Sequence, residues 1–314
     1  MLRTSLLYLS RQQRVFDFIK NVGVARKMAS RFVAGETINT ALDAVAALNA
    51  KGISASLDLL GESVSSEAEA RETGRQYLDL LDRIATKKLD ANVSVKLTAL
   101  GQDISDALGV EVVREVLTRA KQYGSFVRLD MESSAYTDRT LDTFEHALYP
   151  DFRDNVGVVL QSSLRRTLSD VERANRLQAR VRICKGAYLE PPEVAFPDKA
   201  DVDKNYVNAM HQLMQHGRYP GIATHDEVII GEAKRFAQAN GIANDRFEFQ
   251  MLYGVRRDLQ DQLVREGYRM RVYVPFGTQW YPYLMRRLAE RPANIAFMAG
   301  NIVKEFFGGS ASTR

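Results

Sequence analysis

Short runs rich in β-branched and aromatic residues recur along the chain at 54–60, 93–99, 126–131, 156–161, 181–186, 221–225, 247–252 and 270–275, each bounded by turn residues. Between them the apolar positions fall at helical spacing, which predicts helices over 67–85, 107–123, 138–148, 168–179, 204–216, 227–240 and 256–266, with a last one over about 281–291. Strict strand–helix alternation with crossovers of this length predicts a parallel sheet, and eight units predict an α/β fold closed into a (β/α)8 barrel. The residues before about 51 do not fit the repeat. They read as helices over 12–32 and 37–50 that pack against the barrel as an N-terminal arm. The Gly- and Ser-rich tail 308–314 reads as frayed, so the expected division is an arm at 1–50, a barrel at 51–307 and a tail.

Alternation within a strand also says which side chains face inward. In the run from Val93 to Thr98, Val93, Val95 and Leu97 share one face and Ser94, Lys96 and Thr98 the other. With the apolar face turned to the helices, Lys96 points into the barrel, where a lysine is costly unless paired. Asp130, near the end of the next strand, is the expected partner; a purely structural pair is the alternative reading. The fifth strand is unusually basic and ends in glycine: Arg182 is placed to donate to an interior acceptor, and Gly186 to let a ligand approach the backbone. Cys184, with no histidine near it in sequence, reads as a packing residue. Lys96, Asp130, Gln161, Arg182, Lys185, Thr224, His225, Leu252 and Tyr273 all fall at or near the C-terminal ends of strands, the rim that carries catalysis in such barrels. His146, His211 and His216 lie on predicted helices and read as surface residues.

The segment from Tyr273 through Pro275, Gly277 and Trp280 to Glu290 turns a strand into a helix carrying adjacent arginines. Paired guanidinium forks match a carboxylate or phosphate, and the surrounding rings suit a small apolar body, so a compact amphipathic acid is the expected ligand. Tyr283, Arg286, Arg287 and Glu290 share a helical face that can turn toward the barrel mouth. Two solvated arginines on a helix surface are the alternative.

Composition narrows this picture. At 314 residues, 45% hydrophobic and 26% charged, the chain reads as soluble and globular. The net charge of +4 is dispersed, which argues against nucleic-acid binding and leaves room for contact with an anionic membrane face. A single cysteine excludes an intramolecular disulfide and an all-cysteine metal site and suggests a reducing cytoplasm. No apolar run approaches the roughly 20 residues of a transmembrane helix, so any membrane contact is expected to be peripheral. The G-x-G-x-x-G fingerprint and the P-loop are both absent from the sequence, so a nucleotide cofactor would be held without a Rossmann unit.

Taken in order, Val95-Lys96-Leu97-Thr98, Leu129-Asp130-Met131-Glu132, Leu160-Gln161-Ser162, Arg182-Ile-Cys-Lys-Gly-Ala-Tyr188, Ala223-Thr224-His225, Phe249-Gln-Met-Leu252, Tyr273-Val-Pro-Phe-Gly and Tyr283-Leu-Met-Arg286-Arg287 resemble the motifs of the proline dehydrogenase domain in its short bacterial form. That resemblance implies FAD held non-covalently in a distorted barrel with the last helix over the mouth, oxidation of L-proline to Δ1-pyrroline-5-carboxylate, and a membrane quinone as electron acceptor. It implies that Arg286 and Arg287 clamp the proline carboxylate with help from Lys96, while Leu252, Tyr273 and Tyr283 enclose the ring. Asp130 would order the substrate side and Arg182 would approach the flavin where hydride arrives. Met131, Gln161, Cys184, Lys185, Gly186, Ala187, Tyr188, Thr224, His225, Gln250 and Glu290 resemble cofactor-contacting positions. Cys184 stands where valine is common and Leu189 where tryptophan is frequent. Two other readings stay open from the residues: a Schiff-base aldolase barrel using Lys96 or Lys185, and a non-catalytic barrel binding anionic partners.

Overall fold

The computed structural model of the protein describes residues 29–290, with side chains through Arg287. Eight parallel strands close into a barrel in sequence order, β1 Ser54–Leu59, β2 Ala91–Val95, β3 Val127–Leu129, β4 Val156–Gln161, β5 Arg180–Cys184, β6 Gly221–Ala223, β7 Glu248–Leu252 and β8 Met270–Phe276. Closure is made by β1 against β8, paired from Ser54↔Arg271 to Leu59↔Phe276. The helices are α1 Ile38–Asn49, α2 Glu67–Thr86, α3 Asp106–Gln122, α4 Ser134–Asp142, α5 Thr167–Leu177, α6 Lys199–His216, α7 Glu227–Ala239, α8 Arg257–Arg265 and α9 Trp280–Glu290. Side-chain oxygens of Thr37, Ser66, Ser105 and Asp226 accept from the first-turn amides of α1, α2, α3 and α7 and fix where those helices begin. None of the described helices is long and apolar enough to cross a membrane.

The outward parity of each strand forms the core. Leu57, Val95, Leu129, Val158, Ile183, Ile222, Phe249 and Val274 are all fully buried against the helical ring. The inward parity is polar: Ser56, Asp58, Ser94, Lys96, Arg128, Arg182, Glu248 and Gln250 are buried as well. Bulky polar groups fit there because glycines make space. A Cβ on Gly157 would lie 2.6 Å from Arg128 Nη1, and one on Gly221 would lie 2.4 Å from Gln250 Nε2.

Three strands are shorter than the sequence pattern suggests by two residues or more. β2 stops at Val95 and a single 3₁₀ turn follows at Thr98–Leu100, so Lys96 sits just past the strand; β3 is three residues long; β6 ends before Thr224. The helix expected over 138–148 begins earlier, at Ser134, and after Asp142 widens into a π turn, Thr143–Leu148, before the short helix Tyr149–Phe152. Pro150 has no amide to return to the carbonyl four residues back, and Arg114 Nη1 takes the Ala147 carbonyl at 2.7 Å. The helix expected over 12–32 lies largely outside the described residues, with 29–32 helical, and the expected tail lies wholly outside them.

In an ordinary barrel the helix after the last strand packs between that strand and the first. Here α1 takes that seat, packed against β1 and β8 with Ala41, Leu42 and Val45 completely buried. α9 is therefore released to the C-terminal mouth. Gly277 N donates to Gly35 O at 3.0 Å and Trp280 Nε1 to Glu36 Oε1 at 3.2 Å, which ties the start of α9 to the segment leading into α1.

Candidate active site

At the C-terminal half of the barrel the inward polar residues form two linked networks. Lys96 Nζ pairs with Asp58 Oδ1 at 2.7 Å, both side chains almost wholly removed from solvent. The expected partner, Asp130, is instead held by Arg182 Nη1 at 2.8 Å and by the Tyr273 hydroxyl, which donates to Oδ2 at 2.6 Å. The reason lies in registry and reach. β1 and β2 are neighbours with Asp58 beside Ser94, so the Lys96 ammonium, two residues on, finds Asp58 directly. The longer Arg182 side chain crosses the interior from β5: Nε donates to Gln250 Oε1 at 2.5 Å, and Nη2 reaches Ser94 Oγ at 3.3 Å and Ser56 Oγ at 3.4 Å. One guanidinium thus ties β5 to β1, β2, β3 and β7. Its Cζ also lies 5.2 Å from the centre of the Tyr273 ring.

Protonation states follow from these contacts. Burial works against the Lys96 charge, but Asp58 and then Asp130 outweigh it and its pKa is raised, so the ammonium persists. Burial pushes Asp58 up, and the pull of Lys96 offsets that incompletely. Tyr273 is raised by burial and by the Asp130 and Asp58 carboxylates, which keeps it a donor. A lysine held cationic in an ion pair is a poor Schiff-base nucleophile; Lys185 is likewise engaged, with Asp203 at 2.6 Å and Asp226 at 2.9 Å. Burial lifts the Cys184 thiol to about 11, in keeping with a packing residue.

The rim above these networks holds the remaining expected positions. Gln161 Nε2 donates to the Glu132 carbonyl at 2.8 Å, and the Glu132 carboxylate accepts from Thr98 N at 3.3 Å and from Thr98 Oγ1 at 2.7 Å. Burial raises Glu132 to about 7. Met131 is buried in the core at the end of β3, and Cys184 Sγ contacts Leu160 O at 3.6 Å. Gly186 has φ +106°, and a Cβ there would lie 2.4 Å from Ser163 Oγ, so the Lys185–Tyr188 turn lies tight against the end of β4. Thr224 Oγ1 accepts from Asp226 N at 3.1 Å, and His225 Nε2 accepts from Leu252 N at 3.0 Å, which assigns Nδ1 as the protonated nitrogen of a neutral ring.

α9 completes the site from above. Arg286 Nη2 pairs with Glu62 Oε1 at 2.7 Å, in the loop after β1, and Tyr188 and Asp58 contribute to its electrostatic surroundings. Arg287 stacks on Tyr283, 5.2 Å from Cζ to ring centre, and lines a cavity of about 520 Å³ together with His225, Leu252, Gly254, Arg31 and Phe32. The expected face of Tyr283, Arg286 and Arg287 is therefore turned to the mouth. The side chain of Glu290 lies outside the described residues. Sequence reasoning missed Asp58, Glu62 and the Glu248–Arg271 pair, 2.8 Å apart. The alternation Ser54, Ser56, Asp58 along β1 carried the signal for Asp58, and the same parity test finds Glu248 and Arg271. Glu62 lies in a loop with no periodicity to mark it. His211 stacks on Phe236 at 3.9 Å and faces Glu232, away from the site.

The proline dehydrogenase family model matches residues 41–300. Proline dehydrogenase of Deinococcus radiodurans is 46% identical over 280 residues, 88% of this chain and 90% of the relative. Proline dehydrogenase 1 of Bacillus subtilis strain 168 is 41% identical over 305 residues, 97% of this chain and all of the relative. Among solved structures, proline utilization A (PutA) from Bdellovibrio bacteriovorus inactivated by N-propargylglycine superposes with a TM-score of 0.80 at 28% identity, over 92% of this chain. The chain spans about a third of that protein, covering 34% of it. Matched along most of its length by the family and by relatives of its own size, the chain belongs to the proline dehydrogenase family, oxidoreductases that act on a CH–NH group.

Proposed function

We propose that this chain oxidises L-proline to Δ1-pyrroline-5-carboxylate, with FAD held non-covalently at the barrel mouth and a membrane quinone as the final electron acceptor. The observation that carries the reading is Arg286 beside Arg287 on a helix lying over the interior Lys96–Asp58 and Asp130–Arg182–Tyr273 networks. Arg286 already holds the carboxylate of Glu62, so its fork is oriented to grip a carboxylate at this level of the mouth.

The residues present fit a flavin. The positive φ at Gly186 and its packing against Ser163 and Gln161 leave bare backbone in the rim turn that would border the cofactor. Arg182, fixed by Gln250 and Asp130, would supply a cationic donor to it, and the cavity lined by Arg287, His225 and Leu252 offers room at the mouth. Gln161, Lys185, Ala187, Tyr188, Thr224, His225 and Gln250 would hold the cofactor from the strand ends, with Met131 and Cys184 packed behind. When bound, the flavin accepts the hydride from the proline carbon next to nitrogen.

This chain's own residues bind, orient and exclude water. Arg286 and Arg287 would take the substrate carboxylate, and the Lys96 ammonium, anchored by Asp58, adds a third cation on the same side. Leu252, Tyr273 and Tyr283 would enclose the ring and hold one face of the reacting carbon inward. Tyr273, locked as a donor to Asp130, orders that wall without accepting a proton. The substrate amine would lose its proton to solvent, the C–H electron pair would leave with the hydride, and the nitrogen electron pair would form the C=N bond of the product. The name proline dehydrogenase, carried by relatives matched over 90% and 100% of their own length, supports proline as the substrate. Because respiratory quinones are lipid-soluble, a cytoplasmic enzyme would meet its acceptor by docking peripherally on the inner face of the cell membrane.

The direct test is the visible spectrum of the purified protein. A flavin band that bleaches anaerobically on addition of L-proline is expected, and a colourless protein that gains no activity with added FAD rules the reading out. Arg286→Met and Arg287→Met should each raise the KM for proline by at least about tenfold, the loss of one charge-assisted contact; an unchanged KM in both would remove the clamp.

A further inference from the structure

The barrel end remote from this site carries a second group of cations. A cavity of about 570 Å³ opens at the N-terminal mouth, lined at the strand starts by Ser54, Asp90, Arg180, Tyr219, Arg269 and Arg271. The Arg180 guanidinium lies between two rings, 4.3 Å from the centre of Phe126 and 4.7 Å from that of Tyr219. Contact with two rings limits the freedom of the guanidinium. Tyr219 reaches this position with φ +48°, a left-handed conformation uncommon for a bulky residue.

The cations here exceed their counter-ions. Glu248 pairs with Arg271 at 2.8 Å and also attracts Arg180 and Arg128, Asp154 pairs with Arg218 at 2.7 Å, and Asp90, which attracts Arg271, accepts from Ser54 Oγ at 2.5 Å; these carboxylates are shared among Arg128, Arg180, Arg218, Arg269 and Arg271. Arg180 has no carboxylate within ion-pair distance among the described residues, and its buried Nε has no acceptor. Behind it Arg128, 3% exposed, donates to the carbonyls of Val158 and Arg180 alone, and its Nε also lacks an acceptor. Arg269 at the rim donates to the Tyr219 hydroxyl at 3.3 Å and lies 5.5 Å from that ring. Burial first, and then the neighbouring Arg182 and Arg180, push the Arg128 pKa well down, and Glu248 offsets this only in part.

We propose that this N-terminal mouth binds a phosphate-type oxyanion, with Arg180 as the central donor and Arg269 at the entrance. A carboxylate offers one planar edge to one fork, whereas a tetrahedral oxyanion presents oxygens to several non-coplanar donors and carries the higher charge this surplus calls for. The site lies at the opposite end of the barrel from the strand ends that face α9, so it is separate from the proline and cofactor positions. The phosphate group is borne either on a small soluble molecule or on a lipid, and the test separates the two.

Calorimetric titration of the cofactor-loaded enzyme with inorganic pyrophosphate reads the site directly, with co-sedimentation on vesicles containing phosphatidic acid as the second arm. Saturable one-to-one binding is expected, weakened at least about tenfold, or 1.4 kcal/mol, by Arg180→Gln and by Arg269→Gln. Arg75→Gln, on the outer face of α2, should leave it unchanged. Arg269 is at the rim, so its variant keeps the test decisive where the more buried Arg180 variant fails to fold. Vesicle binding abolished by the same variants, with weak pyrophosphate binding, assigns the lipid-borne source; tight pyrophosphate binding without vesicle binding assigns the soluble one. Absence of both, or equal binding in the wild type and both variants, overturns the proposal.

Discussion

Lys96 and Asp58 are each buried almost completely and each is the other's nearest opposite charge. Removing one member leaves the other as a lone charge in the barrel, the costly half of a buried ion pair. Lys96→Met is therefore expected to lower stability by about 3–5 kcal/mol, read by chemical denaturation. Adding Asp58→Asn removes the stranded charge and should recover at least about half of that loss. A double variant no more stable than the single one would show that the pair does not act as a unit. Parity along β2 made the inward direction of Lys96 legible from sequence, because Val93 and Val95 had to face the helices. Its partner was not legible. Two carboxylates, Asp58 and Asp130, flank β2, and the choice depends on Arg182 arriving from three strands away to take Asp130. No local pattern records that arrival.

At the scale of elements, the eight strands and their crossover helices were readable because each alternates cleanly between two periods, and β4 has the bounds its pattern suggests. Elements shaped by tertiary contacts were less so. The helix expected over 138–148 starts four residues earlier and opens into a π turn at Thr143, and α1 sits where the helix after β8 would be expected. The turn from β7 to α8 shows how such contacts build the site. Gly254 has φ +74°, and a Cβ there would lie 1.7 Å from Arg31 O, so the turn closes against 29–32 only with glycine. Arg31 and Phe32 form a wall of the cavity beneath Arg287. Gly254→Ala should cost about 1–3 kcal/mol through backbone strain, and should also push that wall away and lower the fraction of protein purified with bound flavin. Full flavin content in a destabilised variant would separate the wall from the cofactor site.

For the whole molecule, two buried glutamates give the stability opposite pH dependences. Glu248, between Arg271 and Gln250 in the N-terminal half, is disfavoured as an anion by burial, but Arg271 overcomes this and holds it at about 2, below its ordinary 4.5. Its contribution is present above pH 4.5 and is lost as pH falls toward 2. Glu132 at the opposite end is raised to about 7 by burial, against the pull of the Thr98 hydroxyl and Lys96. The unfolded chain releases this proton near 4.5 and the folded chain keeps it until about 7, so between these values the folded state binds more protons and rising pH favours unfolding. The span corresponds to about 3 kcal/mol, incurred progressively across that window and constant above it. Glu132→Gln removes the ionisation while keeping an acceptor for the Thr98 amide, with the Thr98 hydroxyl free to turn and accept from the new amide. Urea denaturation of wild type and variant at steps from pH 4.5 to 8 should give curves that diverge in the variant's favour up to about pH 7 and run parallel beyond it. Curves parallel throughout would mean that Glu132 ionises normally in the folded protein, and that its burial beside Thr98 is offset by solvent or by Lys96.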